Sequence, residues 1–238
     1  MDMGALNGPD RLRHGRAYDS ARRMKATHPV ALMALFALLG EGLFAQEVPK
    51  TSSASGGGRV WSFNVVADGY IVPNDQSYAS PTFTADRNWL HLEARYNYEN
   101  LRTGSVWVGY NFSAGKKLVL DVTPIIGGVF GRTTGIAPGC EASLAYRKVE
   151  LSISNEYVFD TDDSSGNFYY GWPQLTYSPT DWLRVGLVAQ HTKAFHSSLD
   201  VQRGFLVGIS HRNLEFTSYI FNAGWTDPTV VLEVGVSF

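Results

Sequence analysis

Cysteine is almost absent from this 238-residue chain, where Cys140 stands alone. That excludes an intramolecular disulfide framework and any cysteine-rich zinc site. Charge is scarce too. Asp, Glu, Lys and Arg make up 18% of the residues, against about 25% in an ordinary soluble domain. Twenty bases against 22 acids leave a net charge of −2, so no basic surplus marks nucleic acid as a partner. Long apolar runs are also missing. The mean hydropathy of −0.12 excludes a bundle of membrane helices, and the one apolar stretch, Pro29 to Gly40, falls short of the ~20 residues a spanning helix needs. No phosphate-cradling glycine loop, His-x-x-x-His metal pair or nucleophile elbow is present. Aromatic residues, by contrast, are plentiful: 6 Trp, 12 Tyr and 13 Phe. Such a chain fits neither a soluble domain nor a helical membrane protein.

Residues 1–45 have the parts of a secretory signal. Arg22, Arg23 and Lys25 precede the apolar stretch, and Glu41-Gly-Leu-Phe-Ala45 places a small residue at the cut before Gln46. Met24 followed by Lys25 makes a conventional signal start, which would leave residues 1–23 as an over-extended reading of the gene. The Arg22-Arg23 pair also fits a twin-arginine signal, but that route carries folded proteins, and the architecture argued below is exported unfolded. Six bases and four acids precede Gln46, so residues 46–238 hold 14 bases against 18 acids, a net of −4. Residues 46–58, ending Ser-Gly-Gly-Gly, form a flexible polar lead-in.

From residue 59 onward the apolar residues alternate with period two. Leu90-His91-Leu92-Glu93-Ala94-Arg95-Tyr96-Asn97-Tyr98 puts Leu, Leu, Ala, Tyr and Tyr on one face and His, Glu, Arg and Asn on the other. Segments 149–157 and 183–190 repeat the pattern. Alternation at 180° per residue denotes a strand with one apolar and one polar face. Tyr96, Tyr98, Tyr110, Phe112, Tyr146, Tyr157, Phe159, Tyr177 and Trp182 fall near strand ends, on or beside the apolar face. In water so many edge aromatics are a liability; in a bilayer they form interfacial girdles. The last residues, Thr229-Val-Val-Leu-Glu-Val-Gly-Val-Ser-Phe238, align Val230, Leu232, Val234, Val236 and Phe238 on one face. This resembles the C-terminal strand of bacterial outer-membrane β-barrels. The resemblance implies that Val234, Val236 and Phe238 are read by the barrel assembly machinery. It also implies residence in the bacterial outer membrane, among its lipid and lipopolysaccharide, after export through a cleaved signal peptide.

Connection chemistry sets the strand count. Short connections are expected on the periplasmic side and longer polar ones outside. Back from Phe238, segments 222–228, 191–200, 160–167, 131–138 and 99–103 read as outer loops. Segments 211–213, 178–181, 147–148 and 113–117 read as inner turns. Strands at Val60 to Ile71 and Ser77 to Ala85 complete an even number. The weak member is the second, because Pro81 removes a ladder donor. The expected fold is all-β, a closed antiparallel transmembrane barrel of about twelve strands over residues 59–238, with ten the alternative.

Alternation sends Asp68, His91, Glu93, Arg95, Asn97, Asp121, Glu141, Arg147, Glu150, Glu156, Arg184, Gln190, Gln202, Glu215 and Glu233 inward. Three arginines cannot neutralise eight carboxylates in a dry interior. A hydrated lumen is the simpler solution, and twelve strands leave room for water. The expected function is a narrow porin-like channel for small polar or cationic solutes. The alternatives are a structural barrel that anchors the envelope without transport, and a lipid-acting enzyme. For the enzyme, His191, His196, Ser197, Ser198 and Asp200 resemble the His and Ser of outer-membrane phospholipase A. In that family the pair lies two residues apart on a strand, whereas His196 and Ser197 are adjacent and would point to opposite faces. No catalytic residue, metal ligand or cofactor is assigned. Asp160, Asp162 and Asp163 lack the glycine and distal acid of a hand-type calcium loop. Ala137-Pro-Gly-Cys140 lies too far from residue 45 to be a lipid-attachment box.

Overall fold

The computed structural model describes residues 60–72, 76–162, 164–194, 200–224 and 228–238, with the side chains of 193, 194 and 200 excepted. The expected signal (1–45) and lead-in (46–58) lie outside the described residues. Thirteen strands follow among those described: β1 (Ser62–Ile71), β2 (Tyr78–Arg87), β3 (Leu90–Tyr96), β4 (Thr103–Tyr110), β5 (Phe112–Gly115), β6 (Leu118–Gly131), β7 (Gly135–Tyr146), β8 (Val149–Asp160), β9 (Phe168–Tyr177), β10 (Leu183–Ala194), β11 (Asp200–His211), β12 (Leu214–Phe221) and β13 (Thr229–Ser237). β4 and β5 are a single course broken at Asn111, β4 lying against Ile125–Gly131 of β6 and β5 against Val119–Val122. With β1 paired to β13 and β4 to β6 the ring closes, so the thirteen elements make a twelve-stranded antiparallel barrel. Reciprocal bonds between the backbones of Phe63 and Phe238, at 2.8 and 2.9 Å, seal the seam between first and last strands.

The strand prolines sit where they cost least. Pro81 precedes the point at which β3 joins β2, the ladder there beginning at Thr82↔Arg95. Pro124 faces the Asn111 break, between the β4 and β5 ladders. Pro138 falls in the gap of the β7–β8 ladder, between Ile136↔Phe159 and Gly139↔Glu156. Pro173 falls in the gap of β9–β10, between Gln174↔Val188 and Gly171↔His191. A missing N–H is tolerated at such interruptions and not in an unbroken central ladder. This is why the segment with Pro81 is a strand.

At one end, four of five connections are two residues long: 88–89, 116–117, 147–148 and 212–213. Asn88, Arg147 and Arg212 open three of these with φ of 55–56°. At Gly115, φ is 103°, and a Cβ would strike the carbonyl oxygen of Leu118. The other end carries the longer connections. Three expected connections prove shorter. Phe112–Gly115 is strand, leaving only 116–117 as the turn, and β6 and β7 leave only 132–134 between them. β10 likewise runs on to Ala194. Glycine and proline in the first two stretches (Gly115, Gly135, Pro138) and the polar run from His191 in the third mimic loop composition, but backbone pairing continues through them.

Outward positions form an apolar belt, from Val106 and Val108 on β4 to Leu187 on β10 and Phe205 and Val207 on β11, all exposed on the isolated chain. Trp89, Tyr110, Phe112, Tyr146, Tyr177, Trp182 and Phe238 ring its turn end, while Tyr96, Phe130 and Phe159 mark the loop end. This is the surface a bilayer solvates. Tyr98 departs from the expected girdle: it folds inward, its ring edge-on to Tyr170 at 5.4 Å. Inside, two apolar clusters occupy the half nearer the loops. One joins Tyr70, Val188, Leu206, Tyr219, Phe221 and Val231; the other joins Trp107, Ile125, Val129, Ala137 and Val158.

Gly127 lies directly opposite Trp107 on the neighbouring strand, and a Cβ there would overlap the indole. Gly127→Val is expected to cost about 1–3 kcal/mol through overpacking, read as a lower urea midpoint in bilayer vesicles. Its neighbour Gly128 has open space at the Cβ position, so Gly128→Ala is the matched control and leaves the midpoint nearly unchanged.

Candidate functional site

The interior of the barrel holds the chain's chemistry, and its organising residue is Arg95. Alternation along β3 points His91, Glu93 and Arg95 inward together, and all three are buried. Arg95 donates from Nη2 to Glu93 Oε2 at 2.7 Å and from Nη1 to Glu156 Oε2 on β8, also at 2.7 Å. Glu141 on β7 lies 3.4 Å from Nη2. The guanidinium is also sandwiched between rings, 4.4 Å from the centroid of Tyr98 and 4.6 Å from that of Trp107. Trp107 is fixed in turn by its Nε1, which donates to Ser105 Oγ at 2.9 Å, and that hydroxyl donates to Glu99 at 2.5 Å. One cation thus ties β3 to β7 and β8 across the lumen.

A polar chain continues from this hub toward the turn end. His91 Nε2 stands 3.7 Å from Glu93, and His91 Nδ1 is 2.9 Å from Asp86 Oδ1 on β2. The same Asp86 oxygen accepts from Asn111 Nδ2 at 2.8 Å, and Asn111 Oδ1 accepts from Thr123 of β6 at 2.8 Å. The break between β4 and β5 is therefore where Asn111 turns its amide into this network.

Further down, the interior is wetter. Arg184 of β10 pairs with Glu215 of β12 and donates to Thr217 Oγ1 at 3.1 Å. The side chains of Arg184 and Glu215 keep 33% and 38% of their surface accessible to water, and that of Glu141 keeps 36%. Arg95, at 1%, keeps almost none. The register also places Asp121 between Ser113 and Ser143, Gln190 opposite Gln202, and Asp68 opposite Glu233, on inward positions.

Two inward expectations need correction. Asn97 is a turn residue: at φ 58° its side chain accepts from Arg102 N and donates to Ala79 O, fastening the loop after β3 rather than lining the lumen. Arg147 opens the β7–β8 turn and lies 5.3 Å over the ring of Tyr146, at the rim. Both sit at φ above zero, where period-two alternation no longer sets side-chain direction. Contributors that escaped the sequence reading include Asp86, Tyr98, Glu99, Trp107, Asn111 and Thr123. Extending the period from Ser80 through Thr82 and Thr84 would have reached Asp86. Trp107, flanked by Val106 and Val108, carries no alternation signal at all.

His196, Ser197 and Ser198 lie outside the described residues, as does Asp163. His191 sits on β10 opposite Gly171 and Val201, at an outward register position. Among the described residues, no three His, Cys, Asp or Glu side chains are grouped to hold a metal ion.

No family model and no curated protein matches the chain. Solved structures do. The KdgM porin aligns with a TM-score of 0.54 at 10% identity, over 74% of this chain and 99% of that one. The same figures hold for the KdgM porin in complex with disordered oligogalacturonate. The outer membrane protein Omp33 of Acinetobacter baumannii aligns over 75% of this chain and 98% of its own at 14% identity, with a TM-score of 0.45. The fold shared with the KdgM porin is a closed antiparallel β-barrel.

Arg95→Met strips the counter-charge from Glu93 and Glu156, which are themselves buried. An unpaired buried charge costs about 3–5 kcal/mol, so the barrel should unfold at markedly lower denaturant. Neutralising the acids as well, in Arg95→Met/Glu93→Gln/Glu156→Gln, should recover most of that loss in the same titration.

Proposed function

We propose that the protein is a narrow porin-like channel of the bacterial outer membrane, passing small cations or neutral polar solutes. The observation that carries this reading is water access to charged side chains inside a closed ring, at Glu141, Arg184 and Glu215. A sealed, dry interior does not leave a third of such a side chain accessible. The wall chemistry supplies selectivity. Glu93, Glu141, Glu156, Glu215, Glu233, Asp68, Asp86 and Asp121 stand inward, against Arg95, Arg184 and His91. Rings of carboxylates favour cations over anions. The KdgM porin has been captured with oligogalacturonate, a polyanion. An acidic lumen repels that ligand chemistry, so the shared fold does not carry a shared solute. Asp68, His91, Glu93, Arg95, Asp121, Glu141, Glu156, Arg184, Gln190, Glu215 and Glu233 are the proposed lining.

The route is asymmetric. The turn-end half, with Arg184, Glu215, Asp121 and the exposed Glu150, is open to water. The loop-end half is narrowed by the Arg95 cluster on one wall and by Tyr70, Tyr219, Phe221 and Leu206 on the other. Residues 1–45 act as the cleaved export signal in this reading, and Val234, Val236 and Phe238 present the C-terminal strand to the assembly machinery. The turns face the periplasm and the longer loops face lipopolysaccharide.

A second reading has its own observation. Phe221, Tyr219, Leu206 and Val231 are all but fully buried, and a plug at their level would leave a structural barrel that anchors the envelope without transport. Planar-bilayer recording separates the two. The channel reading expects discrete conductance steps and a reversal potential of cation-selective sign in a KCl gradient. Glu141→Gln/Glu215→Gln should move the cation-to-anion permeability ratio toward unity. Silence in the bilayer from correctly folded protein, or anion preference, overturns it.

A further inference from the structure

The register aligns oxygen-bearing side chains in one row across four adjacent strands. Ser80 of β2 is opposite Asp68 of β1, Asp68 is opposite Glu233 of β13, and Glu233 is opposite Thr217 of β12. Directly opposed residues on one face have Cβ atoms about 4.5–5.5 Å apart, and like charges in that position repel. Among the described residues, neither carboxylate has a base within ion-pair distance. The ion pairs formed there are His91, Arg95 and Arg184 with Asp86, Glu93, Glu141, Glu156 and Glu215. Arg184 belongs to the same row, reaching past Gly208, but it is engaged by Glu215 and Thr217. Glu233 accepts a bond from the Tyr219 hydroxyl at 2.9 Å. That is a neutral donor, which places no positive charge between the two carboxyls.

Ser80 is the second, independent sign. It is 1% exposed, sits beside Asp68, and its Oγ has no hydrogen-bond partner. A buried hydroxyl without a partner is unfavourable, and so is a facing pair of carboxylates without a cation. One occupant relieves both, because hard cations take carboxylate and hydroxyl oxygens and complete their shell with water.

We propose that Asp68, Glu233 and Ser80 form a binding site for a hard divalent cation, Ca²⁺ by charge, in the lumen wall. The proposal rests on the cation-preferring reading of the lumen for the ion's route of entry, and deepens it by naming a station on that route. The row puts two charges against two charges, and the Tyr219 hydroxyl holds one carboxylate in place for the ion.

The test uses Tb³⁺ as the probe on the full-length folded barrel in zwitterionic vesicles, with tyrosine excitation. Tyr219, bonded to Glu233, is the antenna. Sensitised emission that Ca²⁺ displaces is expected. Asp68→Asn and Glu233→Gln should each weaken Tb³⁺ affinity by about tenfold or more, since affinity follows ligand charge count. Asp162→Asn, at the loop end, should leave it unchanged. Heat-dependent gel migration verifies that each variant is folded, and either carboxylate variant suffices where the other fails to fold. No emission, or emission untouched by the carboxylate variants, overturns the site. So does an Asp68→Asn barrel that is more heat-stable than wild type while Ca²⁺ leaves the wild type unshifted, because the carboxylates then share a proton. Ca²⁺-displaceable binding without bilayer conductance supports the site and overturns the channel.

Discussion

A bilayer offers the backbone no hydrogen-bond partner, so a spanning sheet must close on itself. That constraint organises the whole structure. An all-antiparallel ring can close only with an even number of strands, and Phe63 and Phe238 join first strand to last by exchanging backbone bonds while their rings stack 5.7 Å apart. The C-terminal phenylalanine is therefore both the last girdle residue and half of the seam. The same constraint explains where proline is allowed. Each proline within a strand here forfeits a donor at a point where a neighbouring ladder has already lapsed. The break at Asn111 shows the compensation most directly. One residue leaves the regular ladder, Pro124 loses nothing there, and the freed amide joins Asp86 to Thr123.

Closure also inverts the usual core. With apolar residues committed to lipid, the interior must be filled or hydrated by what remains on the polar face. In the half nearer the loops side chains crowd it. Arg95 suits this because a guanidinium forks to two carboxylates and still stacks on aromatic faces, which an ammonium does less well. Glu93 and Glu156 supply the fork's partners, and Tyr98 and Trp107 supply the faces. A cation held so tightly by acids and rings adds little net positive field to the lumen. The acids not bound to it dominate the charge of the interior wall.

Alternation made the architecture legible from sequence: the period fixes which face is lipid, and connection parity asks for an even count, twelve or ten, of which the closed ring is twelve. It assigns Glu93, Arg95, Glu141, Glu156 and Glu215 to one face, because the period runs unbroken through them. It failed where the backbone leaves the extended region, as at Asn97 and Arg147, and where both faces are apolar, as around Trp107. Tyr98 is the instructive miss. Two residues beyond Tyr96 it matches the girdle pattern, yet the chain has already turned at Asn97, and the ring closes over Arg95. Which carboxylate meets which base was never readable, because those distances depend on the curvature of the ring. Glu156 is 61 positions from Arg95 in the chain and one hydrogen bond away in space.

The scarcity of charge in the sequence conceals a separation of charge in space. Acids stand inside, while Arg87, Lys116, Lys117, Arg147, Lys148 and Arg212 stand at or beside the two-residue turns at one end. Among the described residues, none of these six forms an ion pair. A basic rim beside an aromatic girdle lies at the edge of the apolar belt, at the depth of charged headgroups. Anionic headgroups and salt screen such a rim within a Debye length of about 8 Å at physiological ionic strength. The carboxylates within the barrel are screened less, since low-dielectric walls surround them. The charge along the inner wall is thus set by the interior acids, which also outnumber the six bases at the rim. A net charge of only −4 over residues 46–238 thus coexists with an interior in which acids outnumber bases, because the two signs are held in different places.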